Sequence, residues 1–223
     1  MYSQSTKTLV TRFMVVVLFS IAFAYIESAV VVYLRLIMHP TGFDFPLNSI
    51  SVTDPILRPV LLPEIGREAA TLVLIFTGAW LAGANTPQRI AYFLTIFAVW
   101  DIFYYVWLHV LIGWPTSVMD WDILFLIPTT WASAVLYPVL VACMMLVFAV
   151  VILWRDHAGR PIRPTAMDQL MLVAAAVVLI LSFTTAGPYV TQPGYASHFH
   201  WPLFAAGLVL AILAFARCLL RKA

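Results

Sequence analysis

The sequence contains few charged residues and almost no cysteine. Only 10% of its 223 residues are Asp, Glu, Lys or Arg, whereas soluble domains carry about 25%, which excludes an ordinary soluble globular domain. The formal net charge of +2 is too small to indicate a nucleic-acid partner. The two cysteines, Cys143 and Cys218, lie in apolar runs without the spacing of a disulfide framework or metal motif. We predict that both are buried structural thiols.

Several signatures of known enzyme and transporter classes are missing as well. The sequence has no glycine-rich phosphate loop, no Gly-x-Ser-x-Gly elbow and no pair of membrane histidines suited to bis-histidine haem. No internal repeat is evident, which argues against a transporter built from inverted repeats.

What the sequence does contain is long apolar segments. Apolar residues make up 63% of the chain, the mean hydropathy is +0.97, and a membrane helix needs about 20 such residues. The first segment follows Lys7 and Arg12 like a secretory signal, but it continues to Met38 and is therefore predicted to be a retained helix. We predict an all-α integral membrane protein, a single domain over residues 1–223, with helices at Phe13–Met38, Glu64–Ala84, Ile90–Gly113, Trp131–Trp154, Leu170–Gly187 and Trp201–Leu220.

The segment Trp114–Thr130, between helices three and four, is too apolar for an ordinary loop and too short to span a membrane. Pro115 and Pro128 bracket it, which predicts an interfacial or re-entrant turn. Pro138 then falls inside the predicted fourth helix, where a missing backbone N–H is expected to cause a kink.

The basic residues predict the orientation of the chain. In a six-helix arrangement nine of them fall on one side, and only Arg35, Arg58 and Arg67 fall towards the other. Because cytoplasmic loops are rich in Lys and Arg, we expect both termini in the cytoplasm and a prokaryotic inner (cytoplasmic) membrane. The nine are Lys7, Arg12, Arg89, Arg155, Arg160, Arg163, Arg217, Arg221 and Lys222.

Most acidic residues fall at mid-membrane or towards the opposite, outward side. They are Glu27, Asp44, Asp54, Glu64, Glu68, Asp101, Asp120 and Asp122, and four histidines follow the same distribution, namely His39, His109, His198 and His200. A rise of about 1.5 Å per residue predicts two layers. Glu27 and Asp101 lie near the midplane, and Glu68, His109 and Arg35 lie one or two turns above it.

These residues predict an intramembrane site that opens outwards. Asp101, Tyr105 and His109 share one face of helix three, and Glu64 and Glu68 share one face of helix two, because residues four apart are neighbours on a helix. We expect Asp101 and Tyr105 to be catalytic. The candidate metal ligands are Glu27, Glu64, Glu68, Asp101 and His109.

Buried ionisable groups in a membrane are costly and default to a functional role. No basic residue lies at the depth of Glu27 and Asp101, so one of them carries a proton or a cation visits the pair. Carboxylate and imidazole ligands suit a transition metal such as zinc, copper, iron or manganese. His198 and His200 can add ligands only if their segment is extended. The competing interpretation is structural, in which Glu27 or Glu68 pairs with Arg35 or Arg67 and fastens the helices together.

Three functions remain open from the sequence. The first is metal binding or proton relay within a membrane redox enzyme or an associated subunit. The second is a small ion or solute transporter that uses the same carboxylates. The third is a structural subunit of a membrane complex. The expected partners are the lipid bilayer, other membrane subunits or further copies of the chain.

Overall fold

The computed structural model describes residues 6–39, 42–47 and 58–221 and consists mainly of α-helices. Asp54, the side chain of Arg58 and Lys222, which the sequence analysis singled out, lie outside the described part. The helices are α1 (Thr6–Met38), α2 (Arg58–Ala82), α3 (Thr86–Ile112), α4 (Leu136–His157), α5 (Ala166–Thr184) and α6 (Trp201–Leu220). Two strands, β1 (Trp121–Phe125) and β2 (Trp131–Ala134), and short 3₁₀ helices at Gly187–Tyr189 and Tyr195–His198 complete the described elements.

Five helices in the described ranges are long and apolar enough to cross a membrane, namely α1, α3, α4, α5 and α6. Large apolar side chains on their surfaces are exposed, among them Leu18, Leu36 and Val147. A soluble protein rarely exposes such extensive apolar surface, so the chain is a helical, multi-pass membrane protein. α2 is not one of the five, and its first half carries Glu64, Arg67 and Glu68. The sixth crossing therefore stays a prediction.

Several predicted boundaries were wrong at the starts of helices. α2 begins at Arg58, not at Glu64, so Pro63 lies inside the helix instead of before it. α4 begins at Leu136, because the residues from Trp131 to Ala134 form a strand. Pro138 consequently lies in the first turn of α4, where backbone N–H groups have no intrahelical partner to lose, and the predicted kink has no basis.

The chain divides into two compact units. Unit 1 comprises the ranges Met1–Tyr33, Ala70–Asp120 and Val135–Ile162, and unit 2 comprises Leu34–Ala69, Trp121–Ala134 and Arg163–Ala223. α1 and α2 each contribute residues to both units. The prediction of a single domain stays a prediction.

Unit 1 is built from α3 and α4, the first part of α1 and the second part of α2. α3 begins after Asn85, whose side chain accepts a hydrogen bond from the backbone N–H of Gln88, and it ends at Gly113, whose φ of 69° suits a glycine. Ala24, Ala91 and Ala149 are completely buried. Such small residues allow membrane helices to approach closely.

Unit 2 contains the part from Trp121 onwards of the segment that the sequence predicted as an interfacial or re-entrant turn, together with the residues up to Ala134. It forms an antiparallel hairpin in which Asp122 faces Ser133 and Ile123 faces Ala132. Alternating Trp, Ile and Phe residues favour a strand. Two strands alone are marginally stable in water, and β2 packs against α5. Whether the hairpin enters the membrane stays a prediction.

α5 and α6 pack tightly in unit 2. A Cβ atom on Gly207 would approach Leu179 Cγ to 2.9 Å, so glycine permits this approach. Thr165 and Asp168 form a capping box at the start of α5. Asp168 also accepts a hydrogen bond from Arg217 Nε of α6 at 2.8 Å, so one carboxylate both caps α5 and ties it to α6.

Candidate functional site

Glu27 is the most buried of the predicted ligands in unit 1. It lies in α1, an apolar helix of 33 residues, and only 6% of its surface is exposed. Its Oε2 accepts a hydrogen bond from Thr71 Oγ1 of α2 at 3.3 Å. The next residue, Ser28, donates to the carbonyl oxygen of Tyr104 in α3 at 3.0 Å. α1 thus meets α2 and α3 at this level through polar side chains.

The three predicted residues of α3 lie in different environments. Asp101 is half-buried and Tyr105 is buried, with its ring packed against Tyr104 and Trp114. His109 is exposed in the last turn of the helix, and its Nδ1 lies 2.8 Å from the carbonyl oxygen of Pro115. Of the face predicted from spacing, Tyr105 is therefore the buried residue, whereas His109 is exposed and contacts the following loop.

Unit 2 contains a buried ion pair. Arg35 Nη2 lies 3.0 Å from Asp122 Oδ1, and the two side chains are 9% and 2% exposed. The guanidinium carbon of Arg35 also lies 3.9 Å from the centre of the Phe43 ring, a cation–π distance. Asp122 Oδ1 accepts a further hydrogen bond from the N–H of Ile123 at 3.0 Å. The sequence placed Asp122 only among the acidic residues at mid-membrane or towards the outward side, and the structure buries it as the partner of Arg35.

Glu64 and Glu68, which were predicted to share an ion at their spacing of four residues, each have a hydrogen-bond partner of their own. Arg67 Nε donates to Glu64 Oε2 at 2.8 Å, and Arg67 Nη2 contacts Glu64 Oε1. Glu68 instead accepts hydrogen bonds from the N–H of Leu126, at 3.0 and 2.9 Å to its two oxygens. Glu64 therefore has an arginine partner, and Glu68 satisfies a backbone group just after β1.

The histidines near the hairpin side of unit 2 also have structural contacts. The His198 ring stacks on Tyr189 with centroids 3.6 Å apart, and the N–H of His200 donates to Thr185 Oγ1 at 3.1 Å. Both side chains are exposed, and the segment is a 3₁₀ helix up to His198 instead of the extended pair a metal would need. Burial and the charge of Arg35 lower the pKa of His39.

Asp120 closes a tight turn in unit 1. Its Oδ2 accepts hydrogen bonds from the N–H of Thr116 at 2.7 Å, the N–H of Ser117 at 3.1 Å and Thr116 Oγ1 at 3.0 Å. Burial raises the pKa of Asp120, but these hydrogen bonds outweigh it and hold the pKa below its usual value. The carboxylate stabilises the turn that leads into β1.

The candidate residues fall in both units. Glu27, Asp101, Tyr105 and His109 belong to unit 1, while the metal candidates Glu64 and Glu68 belong to unit 2. Among residues 6–39, 42–47 and 58–221, no group of three His, Cys, Asp or Glu side chains is arranged to hold a metal ion. The cysteines are also separate, with Cys218 buried and Cys143 exposed, contrary to the prediction for Cys143.

Sequence reasoning missed the partners of the polar residues. Thr71 carries a hydroxyl in an apolar helix, which is a weak signal for a buried hydrogen bond. The backbone N–H of Leu126 carries no sequence signal. The pairing of Arg35 with Asp122 joins residues 87 positions apart, and neither motif spacing nor depth singled it out.

No protein-family model, curated protein or solved structure matches the chain. The fold and the side-chain contacts define a multi-pass helical membrane protein with ionisable residues buried in both units. Its function must accordingly be argued from these residues.

Proposed function

We propose that the protein relays protons at a carboxyl site at mid-membrane, within a membrane redox enzyme or as one of its subunits. Glu27 is the proton-carrying residue, Asp101 is its acidic companion on α3, and Tyr105 is the hydrogen-bond partner within that layer. The site opens to the outer side of a prokaryotic inner membrane, with both termini in the cytoplasm, as the basic residues favour.

The observation that carries the proposal is the burial of Glu27 in an apolar helix beside a neutral hydroxyl. The carboxyl is 6% exposed and accepts a hydrogen bond from Thr71. A charge at the bilayer centre costs at least about 2.5 kcal/mol on insertion scales, so such residues are retained for function, proton relays among them. A hydroxyl can serve both the protonated and the ionised carboxyl, because it donates and accepts.

Proton transfer fits these residues better than metal binding does. Zinc sites use at least three protein ligands, whereas the described residues offer no group of three and His109 contacts the Pro115 carbonyl. The alternative is that the carboxyl site binds a transition metal with fewer than three protein ligands. The hydroxyls of Ser20 and Thr95, at positions nearer the cytoplasmic end of the helices, are buried and donate to their own helix at 2.8 Å. These hydroxyls are not ionisable groups that could pass a proton on towards the cytoplasm, which favours a site that opens to one side of the membrane over a transport path.

The second candidate is a structural subunit of a membrane complex, and the contacts of unit 2 favour it. Arg35 pairs with Asp122, Arg67 pairs with Glu64, and Glu68 accepts from Leu126. The contacts of Arg35 and Glu68 fasten a helix to the hairpin segment, and that of Arg67 lies within α2, so these charges are explained by structural contacts alone.

The test is an infrared titration of the purified full-length protein in lipid nanodiscs. Difference spectra across a pH step, in H₂O and D₂O, should contain a carboxylic-acid carbonyl band that Glu27→Gln abolishes and Asp101→Asn alters. Asp44→Asn is the matched control, because Asp44 is exposed and outside the helices. Thermal melting of each variant checks that it is folded.

A Glu27→Gln spectrum identical to that of the wild type would refute the proton-carrying role and favour the structural candidate. Proton uptake by vesicles that contain only this protein distinguishes transport from relay. Uptake that Glu27→Gln abolishes would replace the relay with a transporter that uses the same carboxyl.

A further inference from the structure

An open groove lies along the beginning of α1 in unit 1, outside the carboxyl site. Its volume is about 760 Å³, within the 300–1,000 Å³ of typical ligand pockets. α1 contributes the residues 7, 8, 11, 12, 15, 16 and 19, which recur at helical spacing and form one face. α2 contributes its last turns from Gly78 to Ala82, and Ile96 of α3 lies at the base.

One end of the groove is basic and hydroxylated. Lys7 and Arg12 line it together with Thr8 and Thr11, and none of the acidic residues in the described part of the chain does so. Arg12 Nη1 donates to the carbonyl oxygen of Ala82 at 3.2 Å, which uses one of its five N–H donors.

Asp156, an acidic residue at this end of unit 1, does not line the groove. Asp156 accepts hydrogen bonds from the Asn85 and Gln88 side chains, the shortest being 2.8 Å from Gln88. Its carboxylate therefore contacts the start of α3, whereas the charged side chains that line the groove among the described residues, Lys7 and Arg12, are basic.

The other end of the groove is apolar. Val15, Phe19 and Leu81 are exposed, Leu81 to 85% of its surface, while Val16 and Ile96 are buried beneath them. Gly78 provides the open floor between α2 and α1, because it carries no side chain. The groove thus passes from two cations to an apolar channel along one helix, which matches the two ends of a phospholipid.

We propose that this groove binds one anionic phospholipid, with its phosphate between Lys7 and Arg12 and an acyl chain along Val15, Phe19 and Leu81. Basic pockets between membrane helices on the cytoplasmic side are known to hold acidic headgroups, and the cytoplasmic leaflet is rich in them. The predicted orientation places the beginning of α1 on that side. Charge complementarity selects an acidic headgroup, and the apolar channel selects a lipid over a free phosphate.

The test is native mass spectrometry of the purified full-length protein, titrated with phosphatidylglycerol or with phosphatidylcholine of the same acyl chains. One phosphatidylglycerol should bind more tightly than phosphatidylcholine. Lys7→Gln should weaken its binding about fivefold, since a basic residue near an anionic headgroup contributes about 1 kcal/mol. Arg160→Gln removes the same charge from an exposed position outside the groove and should change binding less than twofold.

The acyl channel has its own pair of variants. A Cβ atom on Gly78 would lie 3.4 Å from Ile96 Cδ1 and 3.6 Å from Phe19 Cε1, so Gly78→Ala is tolerated and retains binding. Gly78→Leu fills the channel and should weaken phosphatidylglycerol binding at least fivefold.

Three results would overturn the proposal. The first is equal affinity for the two lipids, and the second is an equal effect of Lys7→Gln and Arg160→Gln, which indicates general surface attraction. The third is displacement of phosphatidylglycerol by millimolar inorganic phosphate with no effect of Gly78→Leu, which indicates a phosphate site. Lys7→Gln is used instead of Arg12→Gln because Arg12 also donates to the Ala82 carbonyl oxygen, and losing that contact could change binding for a structural reason.

Discussion

Breaking the Arg35–Asp122 ion pair should destabilise the protein strongly. The two side chains are 9% and 2% exposed and their charged atoms lie 3.0 Å apart, so either substitution leaves one charge buried without its counter-ion. Removing one partner of such a pair costs about 3–5 kcal/mol. We expect a loss in this range for Arg35→Met and for Asp122→Asn, since contacts such as that of Arg35 with the Phe43 ring, or of Asp122 with the Ile123 N–H, replace a counter-ion only in part.

A double-mutant cycle isolates the pair from the effects of each substitution. The free energy of unfolding is measured by SDS titration in mixed micelles for the wild type, the two single variants and the double variant. The double variant should lose no more stability than the worse single variant, so the coupling should be at least as large as the smaller single loss, about 3 kcal/mol.

The Arg67–Glu64 pair provides a matched control in the same unit. Its side chains are 21% and 10% exposed and three residues apart on one helix, so Arg67→Met and Glu64→Gln should couple by about 1 kcal/mol or less. Single losses below about 1 kcal/mol at Arg35 and Asp122, combined with additive effects, would show that the ion pair is not a principal contact of unit 2.

Two further predictions concern a close backbone approach and an acid-sensitive turn. Gly187→Ala should lower the free energy of unfolding by at least about 1–3 kcal/mol, because its Cβ would lie 1.9 Å from the Thr130 carbonyl oxygen; thermal melting measures the loss. Because the folded pKa of Asp120 is lowered, its stabilisation is complete above the unfolded pKa and disappears as the pH falls through the folded one. The wild type should therefore lose more stability than Asp120→Asn between about pH 5 and pH 3.

Each of these two predictions has its own control. Gly66→Ala introduces the same methyl group on a helix with no atom within 4 Å of it, so it should melt within a degree or two of the wild type or slightly higher. An equal melting temperature for Gly187→Ala would contradict the close approach. Parallel acid unfolding curves for the wild type and Asp120→Asn would show that the turn carboxylate does not contribute.

The helices could be predicted because length and hydropathy alone define them. α6 has the predicted bounds Trp201–Leu220, and α1 ends at Met38 as predicted. The start of α2 was missed because Pro63 follows a less apolar stretch and resembles a first-turn proline. The helix nevertheless begins at Arg58 and includes Pro63.

The candidate site was only partly predictable, because spacing gives the face of a helix and not the partner across from it. Glu27 is buried, as its depth predicted, but its contact with Thr71 depends on the rotation of α2. Similarly, the basic partner of Glu64 is Arg67 on its own helix, whereas the acidic partner of Arg35 is Asp122 in β1. Such pairings follow from tertiary packing, which a single sequence does not specify.

The buried position of Asp122 also fixes how β1 and β2 align. Asp122 pairs with Ser133, and both are buried on the same face of the hairpin. A shift of one residue would turn Asp122 to the opposite face, away from Arg35, and put Trp121 or Ile123 in its place. Apolar neighbours would tolerate that shift, whereas an unpaired arginine would not. The ion pair therefore discriminates between alternative alignments of a short hairpin that apolar side chains alone would leave poorly defined.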